Sequence, residues 1–114
     1  MEQPVLVIAV PRDGVAQGQN GKDRQAFESL LHTLLVYDRI PATLCFYTEG
    51  VRWLTHESPY IEELKEIRAR GADIVACRAS MAAGGMLSEL AVGRLDTADS
   101  IDDLLIGAQH AMVL

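Results

Sequence analysis

The chain has 114 residues, a length typical of one domain, and we expect a single domain over residues 1–114. Hydrophobic residues make up 49% of the sequence and aromatic residues only 5%, so the core must be mainly aliphatic and large enough to need no metal or disulfide. The formal net charge is −6 and the basic residues form no run, which argues against a nucleic-acid partner.

The distribution of apolar residues and cysteines indicates a cytoplasmic protein. The longest apolar run, Pro4 to Pro11, is far too short to span a membrane, and no basic region precedes it as in a secretion signal. Cys45 and Cys77 lie in separate segments and could form a disulfide. Without a secretion signal, however, two free thiols in a reducing compartment are the better expectation.

The first half of the chain alternates between strand and helix patterns. The β-branched run "VLVIAV" (5–10) predicts a strand buried on both faces, and the Gly-rich "PRDGVAQGQNGKD" after it predicts a loop. From residue 23, apolar residues recur every three or four positions, which predicts a helix that ends before Pro41. "ATLCFYT" (42–48) predicts a second strand, followed by a turn at Gly50 and a short helical piece.

The second half continues the alternation, with Ser58-Pro59 as a predicted helix start and Gly71 as its end. The remaining predicted elements are, in chain order, a strand "ADIVAC" (72–77), a short helix that breaks at Gly84-Gly85, a strand "LAVGRL" (90–95), a helix capped by Asp99 or Ser100, and a strand "HAMVL" (110–114). Strands that alternate with crossover helices predict the α/β class. We therefore expect a single three-layer α/β/α domain with a mostly parallel five-stranded sheet.

Functional sites in open α/β sheets form beyond the carboxyl ends of the strands. Three segments of the sequence occupy such places: the loop Pro11–Lys22 with Asp13, the turn Thr48–Trp53 with Gly50, and Cys77 with the residues after it. Asp13 and Gly50 are therefore candidate site-lining residues.

Two interpretations of Cys77 remain open from the residues alone. A cysteine just before a helix lies near unpaired backbone N–H groups and the positive end of the helix dipole, which favour the thiolate, and the adjacent Arg78 could add to that field. Alternatively, Cys77 is a small apolar residue packed at the end of a strand, as free cysteine often is. Cys45, within an apolar strand, is expected to be buried and unreactive.

The sequence predicts no cofactor and no metal. The Gly-rich loop does not match the Walker pattern, because Ala16 stands in place of its first Gly and Asp23 in place of its Ser or Thr. The spacing of the glycines also fails the dinucleotide fingerprint, so a nucleotide-binding flavodoxin-like domain rests on fold analogy alone. The three histidines belong to three different segments, which gives no metal-ligand spacing.

From about Ala42 onwards the chain resembles the DsrE-like family, and most closely the DsrE-type domain of YedF-like proteins. The similarity is carried by "FYTEGVRWLTHESPYIEELKEIRARGADIVACRASM" and by "LAVGRLDTADSIDDLL". In that family a strand leads into a Gly-Val turn, a Ser-Pro helix follows, and the next strand ends in Cys before a short helix and a Gly. The spacing from Cys77 to Gly85 is similar to the family's active-site segment.

The resemblance implies a domain that forms homo-oligomers, as a dimer, trimer or hexamer, and works with a sulfur donor or acceptor protein. In sulfur-relay members the strand-end cysteine carries a persulfide, a role that falls to Cys77 here. YedF-like domains usually read Cys-Gly-Thr-Cys at this point, whereas this chain has Ser80 at the last of those positions. An internal disulfide between those two positions is therefore impossible, although a carrier needs only one sulfur.

Two functional hypotheses follow for a protein with no nucleic-acid or membrane partner. The first is a sulfurtransferase-like persulfide carrier with Cys77 as nucleophile, and with Arg78 and Ser80 lining the site or stabilising the thiolate. The second is a non-catalytic oligomeric module of the same fold that binds a small ligand or partner protein at the strand-end cleft.

Overall fold

The computed structural model describes residues 5–11 and 22–114, and its elements follow the predicted order. The strands are β1 (Leu6–Val10), β2 (Thr43–Phe46), β3 (Asp73–Cys77), β4 (Arg94–Asp96) and β5 (His110–Val113). The α-helices are α1 (Lys22–Val36), α2 (Ile61–Ala69), α3 (Arg78–Ala83) and α4 (Ala98–Ile106). Two 3-10 segments, Thr48–Leu54 and Leu87–Glu89, lie between them.

The five strands form one sheet in the order β4-β3-β2-β1-β5, and every neighbouring pair is parallel. Helices cover both faces of this sheet, so the predicted three-layer α/β/α class is confirmed. The chain moves in one direction from β1 to β4 and then returns to place β5 on the far side of β1. Because parallel crossovers are right-handed, this reversal puts α4 on the face opposite α1 and α2.

Two buried clusters mark the two faces of the sheet. The larger lies under α1 and α2 and contains Phe27, which stacks on Trp53 with ring centroids 4.8 Å apart. The smaller lies under α4 and consists of Val7, Cys45, Val75, Cys77 and Ile101. Cys77 therefore belongs to the face that α4 covers.

The fourth strand starts later than predicted. The sequence places it at residues 90–95, but β4 begins at Arg94. Leu90 instead forms an isolated antiparallel bridge with Thr55, and Gly93 turns the chain with φ +88° before the parallel pairing starts. The predicted strand segment is therefore divided: its first residues bridge to Thr55 and turn the chain, and only its last two belong to β4.

Two predicted helix starts also differ from the structure. Thr97 caps α4, because its Oγ1 accepts the N–H of Ser100 at 3.2 Å, so neither Asp99 nor Ser100 is the cap. Both residues lie in the first turn instead. Ser58 accepts the N–H of Tyr60 at 3.2 Å, and α2 begins only after that turn.

Candidate functional site

Cys77 is the last residue of β3 and immediately precedes α3, as the sequence predicts. β3 lies between β2 and β4, so the cysteine stands within the carboxyl end of the sheet and not at its open side. Its side chain is 5% exposed and packs in the cluster under α4. Although Cys77 is the N-cap residue of α3, its sulfur accepts no hydrogen bond from the helix backbone.

A cavity of about 350 Å³ lies beside Cys77, between α4 and the start of α3. Small and aliphatic residues of these helices form most of its lining, and the polar contributions come from Tyr47, Ser80 and Asp102. Ligand-binding cavities in proteins start at about 300 Å³, so this volume suits a small molecule. Cys77 is thus shielded from bulk solvent and yet lines a space that a small molecule can enter.

Ser80 ties the neighbouring strand ends together. Its Oγ accepts the backbone N–H of Thr48 at 2.9 Å. The Thr48 Oγ1 in turn lies within hydrogen-bonding reach of the carbonyl oxygens of Pro11 and Tyr47, which share its single proton. Thr48 has φ +50°, which is unusual for a β-branched residue. Strained backbone conformations of this kind persist only where the surrounding structure enforces them, and they are found most often at functional sites.

A second cavity of about 430 Å³ shares Ala79 and Ser80 with the first, so this part of α3 separates the two spaces. Its other lining includes Thr48, Glu49 and Arg52. A third cavity, about 470 Å³, is lined by residues that include Arg24, Trp53 and Pro59, and not by Cys77. Only the first of these spaces brings the thiol into contact with a possible ligand.

Arg78 and Gly50 do not line the Cys77 cavity. Arg78 is exposed and is not among the described residues that line the Cys77 cavity. Gly50 is buried, and its N–H donates to the carbonyl oxygens of Pro11 at 3.2 Å and Tyr47 at 3.0 Å. Gly50 therefore links the turn after β2 to the end of β1. Asp13 lies outside the described residues.

An ion-pair cluster flanks Cys77 on the side of β4. Asp96 pairs in register with Cys77. Its Oδ2 accepts a hydrogen bond from Arg94 Nη1 at 2.9 Å and from Ser100 Oγ at 3.0 Å. Arg94 first, then the backbone N–H of Thr97 and the Ser100 hydroxyl, hold the pKa of Asp96 below its ordinary value. Asp96 is therefore an ionised neighbour of the site.

Sequence reasoning missed Tyr47 and Asp102 as site residues. Tyr47 directly follows β2, whose last residue pairs with the residue before Cys77, so its place could have been inferred from the strand ends. Asp102 belongs to α4, and its position depends on which face of the sheet that helix covers. No local pattern in the sequence signals that contact.

Cys45 is fully buried in the middle of the sheet, as predicted. Burial, with the Asp73 carboxylate as the next cause, raises the pKa of the Cys45 thiol to about 11. Both Cys45 and Cys77 are free thiols. Cys45 is therefore a packing residue, and Cys77 is the thiol that lines a cavity.

Within residues 5–11 and 22–114, no three His, Cys, Asp or Glu side chains come together in a way that could hold a metal ion. None of the helices in the described part of the chain is long and apolar enough to cross a membrane. Cys77 is the one thiol among the described residues that line its cavity.

No family model matches the chain, and no curated protein matches it in sequence. Solved structures match it in fold. YchN from E. coli is 14% identical, with a TM-score of 0.70 over 98% of this chain and 100% of that one. MTH1491 from Methanobacterium thermoautotrophicum, a protein of unknown function, is 18% identical with the same TM-score and coverage. At these identities the comparison shows that the chain shares its fold with YchN and MTH1491.

Proposed function

We propose that the chain is a member of the DsrE-like family and carries sulfur as a persulfide on Cys77. The sequence segment around Cys77 resembles the active-site segment of that family, and YchN, which shares the fold, has a DsrE-like fold. The observation that carries the proposal is the place of Cys77: the thiol ends a central strand and lines a cavity of about 350 Å³.

The transfer step needs only one thiolate and a persulfide donor. The Cys77 thiolate attacks the terminal sulfur of the donor R–S–S–H, and the donor S–S bond breaks. The products are Cys77–S–S–H and the thiolate R–S⁻, so atoms and charge balance without an added oxidant or reductant. Delivery to an acceptor is the same exchange in reverse, through attack of the acceptor's thiolate on the outer sulfur.

The surroundings of Cys77 provide two aids to this step. The first peptide N–H groups of α3 lack intrahelical partners, and the helix dipole is positive at that end. Arg78 directly follows Cys77 and is exposed outside the described lining of the cavity, so its charge can act on the thiolate without entering the space that a donor occupies. We propose that Arg78 stabilises the thiolate in this way, that Ser80 lines the cavity, that Gly50 supports the site through its hydrogen bonds to Pro11 and Tyr47, and that Asp13 contributes to the site.

The test is intact-mass spectrometry of the purified protein after incubation with a low-molecular-weight persulfide. The wild type should gain the mass of one sulfur atom, and the addition should disappear on treatment with dithiothreitol. Cys77→Ser should gain nothing. The matched variant Cys45→Ala should gain as much as the wild type, since Cys45 is fully buried. Equal labelling of wild type and Cys77→Ser, or no labelling of either, contradicts the proposal.

One observation favours the second candidate function, a non-catalytic module that binds a small ligand at the strand-end cleft. The Cys77 side chain is only 5% exposed and packs against Val75 and Ile101, which is also how a structural cysteine looks. In that case Cys77 reacts slowly with a thiol reagent in the native protein and fast after unfolding. The carrier requires measurable native reactivity.

We further propose that the protein is a cytoplasmic homo-oligomer that exchanges sulfur with a partner protein. Free cysteines suit a reducing compartment. The edge strand β5 exposes Met112 and Val113, and Ile106 of α4 is also exposed, which provides apolar surface for a second copy. Native mass spectrometry of the same sample reports the subunit number.

A further inference from the structure

We propose that the Cys77 cavity accepts small uncharged or cationic compounds and excludes anions, with Asp102 as the residue that sets this preference. The inference uses the proposed carrier function only to identify the ligand as a sulfur donor. The charge preference itself is a property of the cavity.

The charge of the cavity comes from one side chain. Asp102 is the single charged residue among the described residues that line it, and it is exposed to water. The rest of that lining is uncharged, including Ile101 and Leu105 on the same helix. An anion that enters therefore meets a carboxylate and no described cation.

The nearest basic group of β4 does not compensate for Asp102. Arg94 donates from Nε and Nη2 to the two carboxylate oxygens of Asp73, at 3.1 and 2.9 Å, and from Nη1 to Asp96 at 2.9 Å. All three guanidinium nitrogens are thus engaged, and the cluster holds two carboxylates for one cation. Because Asp96 pairs in register with Cys77, this cluster adds to the negative potential on that side of the thiol.

The side of the cavity formed by α4 is also negatively charged. Its sequence, ADSIDDLLI, contains Asp99, Asp102 and Asp103 and no basic residue. Arg78 is the basic residue adjacent to Cys77 in sequence, but it is exposed and outside the described lining. An anionic sulfur donor such as thiosulfate would lose hydration on entry and gain no opposite charge from the described lining. A neutral persulfide would lose less hydration, and the loss for an amine-bearing persulfide would be offset by the Asp102 carboxylate.

The test measures the rate at which Cys77 forms a mixed disulfide with three methanethiosulfonates: a neutral methyl, a cationic trimethylammonium-ethyl and an anionic sulfonatoethyl reagent. Peptide mapping assigns the modification to Cys77, and each rate is divided by that of a small neutral thiol to remove intrinsic reactivity. The variants are Asp102→Asn and, as a matched control on the same helix, Asp103→Asn, which removes the same charge from outside the described lining. Low ionic strength keeps the charges unscreened.

We expect a normalised cation-to-anion rate ratio of at least about fivefold in the wild type, because a carboxylate about 8 Å from the reagent's charge in a water-like dielectric changes each rate by roughly 2.4-fold, in opposite directions for the two reagents. Asp102→Asn should lower the ratio about fivefold, and Asp103→Asn should leave it near the wild-type value. Equal normalised rates, or equal effects of the two variants, overturn the charge preference and leave the carrier proposal standing. A clear charge preference without any persulfide formation overturns the carrier proposal and leaves the charge preference standing. If Cys77 reacts with none of the reagents, both proposals are overturned.

Discussion

Gly93 is the residue whose substitution should most directly disturb the alignment of β4 beside Cys77. It has φ +88°, and a Cβ added there would lie 2.7 Å from the carbonyl oxygen and 2.8 Å from Cγ2 of Ile74. The left-handed region costs an alanine about 1–2 kcal/mol. Overpacking against a strand that cannot easily move adds about 1–3 kcal/mol. Gly93→Ala should therefore lower the free energy of unfolding by about 3 kcal/mol in total.

Gly85→Ala is the matched control, since Gly85 has φ +69° but a Cβ added to it would meet nothing within 4 Å. It should show the backbone cost alone, about 1–2 kcal/mol. Urea unfolding followed by the fluorescence of the single tryptophan, the buried Trp53, measures both variants. In thermal unfolding, the melting temperatures of the two variants should differ by roughly 5–10 °C for a domain of this size.

Equal losses of stability in Gly93→Ala and Gly85→Ala would refute the reasoning, because the contact with Ile74 would then contribute nothing. A variant Gly93→Ala that is as stable as the wild type would refute the backbone term as well. Either result would mean that β4 can shift away from β3 without cost.

Two further predictions concern α4 and the middle of the sheet. Thr97→Ala should lower the free energy of unfolding by about 1 kcal/mol in urea, because it removes the oxygen that accepts the Ser100 N–H. The control Thr97→Ser keeps that oxygen and should lie within a few tenths of a kcal/mol of the wild type. Equal losses in the two variants would contradict the cap. The pKa of Cys45 is raised from 9.0 to about 11, so the folded state holds this proton more tightly than the unfolded state. The free energy of unfolding therefore holds this contribution in full below about pH 9 and loses about 2 kcal/mol of it by pH 11. Urea unfolding of Cys45→Ala across this range should lack that part of the decline. An equal decline in wild type and variant would contradict the raised pKa.

Much of the fold could be predicted because its strands consist of residues that suit few other environments. The run "VLVIAV" and the segment "ADIVAC" contain β1 and β3, and both lie in the sheet interior as continuous apolar runs imply. Gly71 ends the α2 region with φ +118°, as predicted. In these places local chemistry and tertiary environment favour the same conformation.

The candidate site was less predictable because its walls come from separate elements. The location of Cys77 followed from the end of a strand pattern alone. Asp102 could not be found in the same way, since the aspartates of α4 look alike in sequence and only the packing of Ile101 and Leu105 decides which one faces the cavity. Likewise, the role of Ser80 as acceptor for Thr48 depends on the left-handed turn after β2.

The placement of β5 beside β1 has a consequence during synthesis on the ribosome. Leu6 pairs with His110, so one of the earliest strands to emerge has no partner on that side until one of the latest is made. The helix that covers Cys77 also emerges late, because α4 spans residues 98–106. Until α4 has been made, the cluster around Cys77 lacks Ile101, so this thiol is enclosed only in the last stage of folding.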